Sequence, residues 1–261
     1  MRKLIRILAL IPLLALGTGM RQQVIFARFP KPAAGCSVPA FTYQWAVSND
    51  TGQNKCGAAG TTLCANGLSV YTLVDSVAGN SAIQTTSANQ PTFTTGAING
   101  LPALTQTGSQ YLITNTVVPG STTQWTVFVV YKPASVSGGG SFFGGTGGNV
   151  TVWQNNTTVA LGVVGVNNAY SNSFLSVGTW SAFEVTYNTS TGAGAFYSIA
   201  GGTATSQGTF AFTSTPGGST QFLNYDYSTG GNSGMIAEVS VAVGSTSVSG
   251  IPAYVACKYG L

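Results

Sequence analysis

The sequence contains no histidine and few charged side chains. Asp, Glu, Lys and Arg together make up 5% of its 261 residues, against about 25% in an ordinary globular protein. Without histidine, the Ser–His and Cys–His arrangements of nucleophilic catalysis are excluded. The five acidic residues are solitary in sequence, so no strand carries the paired carboxylates of a glycosidase. We therefore expect a protein that is not an enzyme.

Glu184 and Glu238 are the acids that a fold could still bring together for glycosidase chemistry. Each alternates with apolar neighbours in a strand-like run. We expect both carboxylates to lie on the polar sides of their strands, facing solvent or protecting a sheet edge. Lyase chemistry using tyrosine and a base is not excluded, but no residue favours it.

The chain also lacks an apolar run long enough to span a membrane. Residues 7–16 are apolar and follow the basic residues Arg2, Lys3 and Arg6, whereas a spanning helix needs about 20 residues. This pattern predicts a signal peptide over residues 1–17 and a secreted, periplasmic or cell-surface protein. Without this segment the chain is nearly neutral and has no basic stripe, so we expect no nucleic-acid partner and no membrane span.

The rest of the chain has the composition of one folded domain. Apolar residues reach 44% and aromatic residues 11%, which is enough to form a core. Residues 18–40 have no clean period and contain two prolines near position 31, so we predict an extended lead-in there. The domain itself is predicted over residues 41–261.

Four cysteines in an exported chain predict two disulfides, although they allow three connectivities. Proximity in sequence favours Cys56 with Cys64, which leaves Cys36 with Cys257. Two alternatives stay open at this point. Ala34-Gly35-Cys36 resembles the end of a lipoprotein attachment site, and four thiolates can bind a metal, although no CxxC spacing is present.

Alternating apolar and polar residues predict antiparallel strands over most of the domain. Residues 180–200 form two such runs around a Gly-containing turn, which is typical of a β-hairpin. Residues 125–131 are apolar at nearly every position and predict a central strand covered on both faces. Further strands are predicted at 41–46, 69–75, 111–115, 150–154, 157–163, 209–213 and 221–225. Without a fixed-period repeat, this spacing favours a two-sheet antiparallel β-sandwich over a β-solenoid.

Several segments, in this order and spacing, are similar to laminin-G-like, concanavalin A-like jelly-roll domains of bacterial surface and phage proteins. They are Asp75 with Gly79-Asn80, Asn99-Gly100-Leu101-Pro102, WTVFVVYK from Trp125, Phe142-Phe143-Gly144, the stretch from Val177 to Asn188, GMIAEVSVA from Gly234 and IPAYVACKYGL from Ile251. The resemblance covers residues 41–261 and implies a concanavalin A-like jelly roll with a short C-terminal helix. Residues 104–108 depart from the usual pattern before Gly108, which weakens the prediction of a metal or ligand role for that turn.

Sugar binding requires an aromatic plate and a few amide or carboxylate groups. Two segments supply both types, and they are our candidates for a carbohydrate site: Trp153 with Asn155, and Asn224 with Tyr225, Asp226 and Tyr227. Trp125 and Trp180 are predicted to belong to the core instead. Asp75 and Asp226 are weak candidates for a calcium ion, and no other cofactor is expected.

The resemblance and these residues together predict a lectin-like domain that binds carbohydrate through loops at one sheet. The alternative is a structural or decorative protein of a cell surface or virion, with no glycan ligand. A jelly-roll glycosidase or lyase is the third hypothesis. An oligomer is compatible with each of them.

Overall fold

The computed structural model describes residues 35–49, 53–117, 124–145, 150–163, 167–188, 190–212, 220–223, 233–245 and 247–261. The predicted signal peptide and residues 18–34 of the lead-in lie outside this part of the chain. Within it, no helix has the length and hydropathy of a membrane span.

The described residues form eighteen strands, one 3₁₀ turn and one α-helix. The first nine strands are β1 Tyr43–Ala46, β2 Lys55–Cys56, β3 Thr62–Leu63, β4 Val70–Leu73, β5 Ala82–Ile83, β6 Thr92–Ile98, β7 Leu101–Thr107, β8 Leu112–Val117 and β9 Gln124–Pro133. The remaining strands are β10 Ser141–Gly145, β11 Val150–Asn155, β12 Thr158–Val163, β13 Asn167–Tyr170, β14 Ser181–Asn188, β15 Ala193–Ala200, β16 Thr203–Ala211, β17 Thr220–Leu223 and β18 Ser233–Val243. The 3₁₀ turn is Ser87–Asn89 and helix α1 is Ile251–Tyr259.

The strands form two antiparallel sheets. Sheet A has the order β16-β15-β14-β9-β18-β7-β6, and β1 also pairs with β18. Sheet B has the order β13-β12-β11-β10-β17-β8-β5-β4-β2-β3. The prediction of an all-β antiparallel sandwich with a short C-terminal helix is confirmed.

Strand β9 separates two hydrophobic cores because its alternate side chains point to opposite faces of sheet A. Val127, Val129 and Tyr131 lie in the core between the sheets. Phe128 and Val130 lie in a second core on the outer face of sheet A. The prediction of a central strand covered on both faces is therefore correct, and the cover on the outer face comes from the C-terminal segment.

Helix α1 closes the outer face of sheet A. Its buried residues Ile251, Tyr254 and Val255 belong to the second core, and the Tyr254 ring lies edge-on to Phe128 at 6.4 Å between centroids. Gly250 precedes the helix with a φ of 87° and Pro252 follows at its first turn, a position where proline costs no hydrogen bond. The helix ends at Tyr259 and is followed by Gly260, which has a φ of 70°, the left-handed conformation that glycine commonly adopts after a helix.

Both predicted disulfides are present. Cys36 is bonded to Cys257 with their Cα atoms 5.7 Å apart, so the start of the domain is linked to α1. Cys56 is bonded to Cys64 with their Cα atoms 4.9 Å apart. Because all four sulfurs are used, the lipidation and thiolate-metal alternatives do not describe this structure.

Candidate functional site

The outer face of sheet B carries an aromatic pair. Trp153 on β11 and Tyr170 on β13 both lie opposite Ala160 of β12, one on each side of it. Their ring centroids are 6.4 Å apart and their planes make an angle of 81°. Tyr170 is 51% exposed and Trp153 is half-buried. We call these two residues the platform, in which the indole is the floor and the Tyr170 ring is an upright wall.

Gly162 allows the indole to lie across β12. A Cβ atom added at Gly162 would come within 2.6 Å of Trp153 Cη2 and within 2.4 Å of Asn168 Oδ1. Both distances are shorter than van der Waals contact, so a side chain here would displace the six-membered ring. Glycine weakens a strand interior, and its presence often marks a close approach. Here the close approach is that of the indole and of the Asn168 amide to the sheet.

Amide and hydroxyl groups surround the platform. Asn168 is exposed and leans over Gly162, and Thr151 occupies the register position on the other side of Gly162. Asn155 lies two residues beyond Trp153 on the same face, next to the turn at Asn156. The structure thus brings Asn155 close to Trp153 in the strand and adds Tyr170 and Asn168.

The sequence reasoning missed Tyr170 and Asn168. The sequence pattern that marks this strand covers only a few residues. In Asn167–Tyr170, the buried Ala169 stands between two exposed residues, Asn168 and Tyr170. That alternation marks the outer face of a strand. The pairing of β13 with β12 was needed to place these side chains next to Trp153.

The second predicted group, Asn224, Tyr225, Asp226 and Tyr227, lies outside the described residues. It remains a prediction.

Trp125 is buried between the sheets. Trp180 is half-buried against the second core and donates from Nε1 to the Ala97 carbonyl oxygen at 3.1 Å.

Asp75 organises its own turn. It is 2% exposed, and its Oδ1 accepts the backbone N–H of Gln44 at 2.9 Å and of Val77 at 3.0 Å. Its Oδ2 accepts the N–H of Ala78 and of Asn80, each at 3.2 Å. Calcium binding at Asp75 would require these donors to be replaced. Among the described residues, no group of three His, Cys, Asp or Glu side chains is arranged to hold a metal ion.

Glu238 does not face solvent, contrary to our expectation. It is fully buried beneath α1, because the C-terminal segment covers the outer face of sheet A. Its carboxylate accepts Gln44 Nε2 at 2.8 Å, Ser240 Oγ at 2.7 Å, Tyr254 OH at 2.8 Å, Tyr259 OH at 2.5 Å and Lys258 Nζ at 3.1 Å. Burial alone would raise the pKa of Glu238. The attraction of Lys258 and the hydrogen bonds lower it by more than burial raises it, so the net pKa is below the ordinary value.

Glu184 does not face solvent either. It is 4% exposed, and its carboxyl group accepts a hydrogen bond from the backbone N–H of Val248, in the segment that precedes α1. Its Oε1 is buried with no hydrogen-bond partner among the described residues. The pKa of Glu184 is raised to about 7, because burial raises it and the hydrogen bond from Val248 offsets only part of that rise.

These two carboxyl groups are not arranged as a catalytic pair. Both lie on the outer face of sheet A, but Phe128 of β9 stands between their strands: it pairs with Glu184 on one side and with Ser240 on the other. Glu238 is already engaged by its donors, and Glu184 lies under the segment that contains Val248. The described residues therefore contain no groove in which both carboxylates face a substrate.

Comparison with solved structures supports the fold. The chain is similar to domain 4 of AbnA, a GH43 extracellular arabinanase from Geobacillus stearothermophilus solved with arabinotriose, with a TM-score of 0.50, 16% identity, and 84% of this chain and 99% of that chain covered. A GH54 α-L-arabinofuranosidase matches with a TM-score of 0.60 and 13% identity over 87% of this chain and 61% of that one. Trypanosoma rangeli sialidase matches with a TM-score of 0.52 and 10% identity over 87% of this chain and 34% of that one.

No protein-family profile and no curated protein matches the sequence. At these identities the structural matches show the fold alone. They agree with the β-sandwich jelly roll implied by the sequence, whereas the laminin-G-like family itself is not identified by them.

Proposed function

We propose that this protein is an exported, non-enzymatic domain that binds carbohydrate through the platform on the outer face of sheet B. The observation that carries the proposal is the indole floor and the Tyr170 wall, with the Asn168 amide beside them. A sugar ring presents an apolar face to an aromatic plate and hydroxyl groups to amides. The two disulfides support export, because such bonds persist in oxidising compartments.

The matched proteins support the choice of ligand class. Two of them are named for acting on arabinose-containing substrates, and one was solved with arabinotriose. Arabinotriose is therefore the first probe, within a broader glycan array. Binding without cleavage is proposed because the described carboxylates are buried away from the platform.

The test uses the oxidised protein and measures glycan binding on the array, then by calorimetry for each hit. Trp153→Ala and Tyr170→Ala remove the floor and the wall. Covering about 60 Å² of apolar surface is worth about 1.5 kcal/mol, so we expect each variant to bind about tenfold more weakly. Tyr71→Ala is the matched control, because β4 lies five strands from β11 in sheet B, or about 24 Å away.

A Tyr225→Ala/Tyr227→Ala variant separates the two predicted sites. If it abolishes binding while Trp153→Ala has no effect, the site lies in residues 224–227 and the platform is not the ligand site. If the parent protein binds no glycan at high concentration, with or without calcium, carbohydrate binding is rejected.

A structural role is the second candidate, favoured by the way the ends of the domain are held together. The Cys36–Cys257 disulfide and the buried Lys258–Glu238 ion pair both fasten α1 to the sandwich. A stable, nearly neutral unit of a cell surface or virion needs such fastening but no ligand site. Light scattering that shows a discrete oligomer, together with no glycan binding, would favour this role.

A further inference from the structure

The platform lies in a long uncharged part of the chain. Residues 133–183 contain no Asp, Glu, Lys or Arg, and this stretch includes β10, β11, β12 and β13 together with all their connections. Strand β17, which pairs with β10, has no charged residue either. Among the strands of sheet B, Lys55 on β2 is the one charged residue.

Lys55 is too far from the platform to attract a charged ligand there. Strand β2 is six positions from β11 in sheet B, which is about 29 Å at the usual strand spacing. The Debye length at physiological salt is about 8 Å, so exposed charges at that separation are screened. The described residues next to Trp153 are neutral on both neighbouring strands: Ser141 pairs with it across β10, and Thr151, Asn155, Asn168 and Tyr170 lie along β11 and towards β13.

From this charge distribution we infer that the platform selects uncharged glycans and rejects acidic ones. The inference rests on the carbohydrate binding proposed above and specifies its ligand class. A sialic or uronic acid placed on the indole finds no cation to pair with its carboxylate, so any hydration that the carboxylate loses against the rings is not replaced. A neutral sugar loses only hydroxyl hydration, which the Asn168 and Asn155 amides can replace.

The test compares glycans in matched pairs, in which a carboxylate of the acidic member replaces a CH₂OH of the neutral member. Galactotriose with trigalacturonic acid is the matched pair, and arabinotriose and sialyllactose are measured as a further neutral and a further acidic glycan. We expect the neutral member of a pair to bind at least about tenfold more tightly. We also expect its Kd to change less than about twofold between about 20 mM and about 500 mM NaCl.

Asn168→Lys places a cation beside the indole and provides the reciprocal test. We expect this variant to gain binding to the acidic member and to show the salt dependence that the parent lacks. Asn168→Gln is the neutral control, because it keeps an amide and adds no charge. Thermal unfolding of both variants checks that the fold is retained.

Three outcomes are distinguishable. Salt-independent, Trp153-dependent binding of neutral glycans supports both the proposed function and this inference. Trp153-dependent binding of an acidic glycan that weakens with salt overturns the inference and leaves the proposed function intact. If the parent protein binds no glycan of either kind, the proposed function is rejected and the inference fails with it.

Discussion

Glu184 should make the protein less stable as the pH rises from 5 to 8. Its pKa is about 7 in the folded protein, against 4.5 for an ordinary glutamate. Between these values the folded protein binds a proton that the unfolded chain has lost, so the free energy of unfolding falls as the pH increases. One pKa unit corresponds to 1.36 kcal/mol, and integration over pH 5 to 8 gives a loss of about 2.5 kcal/mol.

Few other side chains are expected to titrate in this pH range. The chain has no histidine, so no other side-chain type has its ordinary pKa between 5 and 7. The lowered pKa of Glu238 has the opposite sign, because it contributes stability that is lost as the pH falls below the ordinary glutamate value. Burial raises the pKa of Tyr131 and Tyr254 above the ordinary tyrosine value, so neither of them titrates in this window.

Urea unfolding of the oxidised protein at pH 5, 6, 7 and 8 measures the effect. Glu184→Gln keeps an acceptor for the Val248 N–H and removes the titrating proton. We expect the variant to have a flat profile over this range and to be more stable than the parent at pH 8. Parallel profiles for parent and variant would refute the assignment, because the pH dependence would then belong to other groups.

Three further predictions concern stability and the platform. Lys258→Met leaves the Glu238 carboxylate buried without its cation and should cost about 3 to 5 kcal/mol in urea unfolding, whereas Glu238→Gln/Lys258→Met should recover much of that loss; equal stability of the two variants would contradict the pairing. Cys36→Ser/Cys257→Ser removes a cross-link between residues 221 positions apart and should lower the free energy of unfolding by up to about 5 kcal/mol. An unchanged urea midpoint would show that the disulfide adds no stability. Gly162→Ala should weaken glycan binding about tenfold by displacing the indole, and retention of full affinity in calorimetry would show that the indole is not the floor of the site.

The sandwich was predictable where apolar residues alternate strongly. The hairpin of β14 and β15 and the central strand β9 are of this kind. Edge strand β16 is polar and exposed along its first half, so only its end, near Thr209, was predicted. The β6–β7 hairpin was missed because a register irregularity between Thr94 and Ile98 breaks the alternation. Its turn, Asn99-Gly100, with φ angles of 47° and 76°, carries the Asn-Gly signal of a tight hairpin.

The candidate site was harder to predict because it depends on contacts between distant segments. Trp153 and Asn155 were identified by residue type. Their relation to Tyr170 required the pairing of β13 with β12, which no local pattern specifies. The prediction that Glu184 and Glu238 face solvent was wrong for the same reason. Alternation showed that both side chains point away from the inter-sheet core, but the outer face of sheet A is covered by residues from the distant C-terminal segment.

The scarcity and placement of lysine also limit digestion by trypsin, which cleaves after exposed Lys and Arg. From residue 35 onward, the chain has Lys55, Lys132 and Lys258 and no arginine. Lys258 is buried against Glu238, and Lys132 lies within β9 and precedes Pro133, a bond that trypsin cuts poorly. A cut after Lys55 would fall next to the Cys56–Cys64 disulfide and leave Cys36 joined to Cys257. Trypsin would therefore leave the folded domain in one covalent piece.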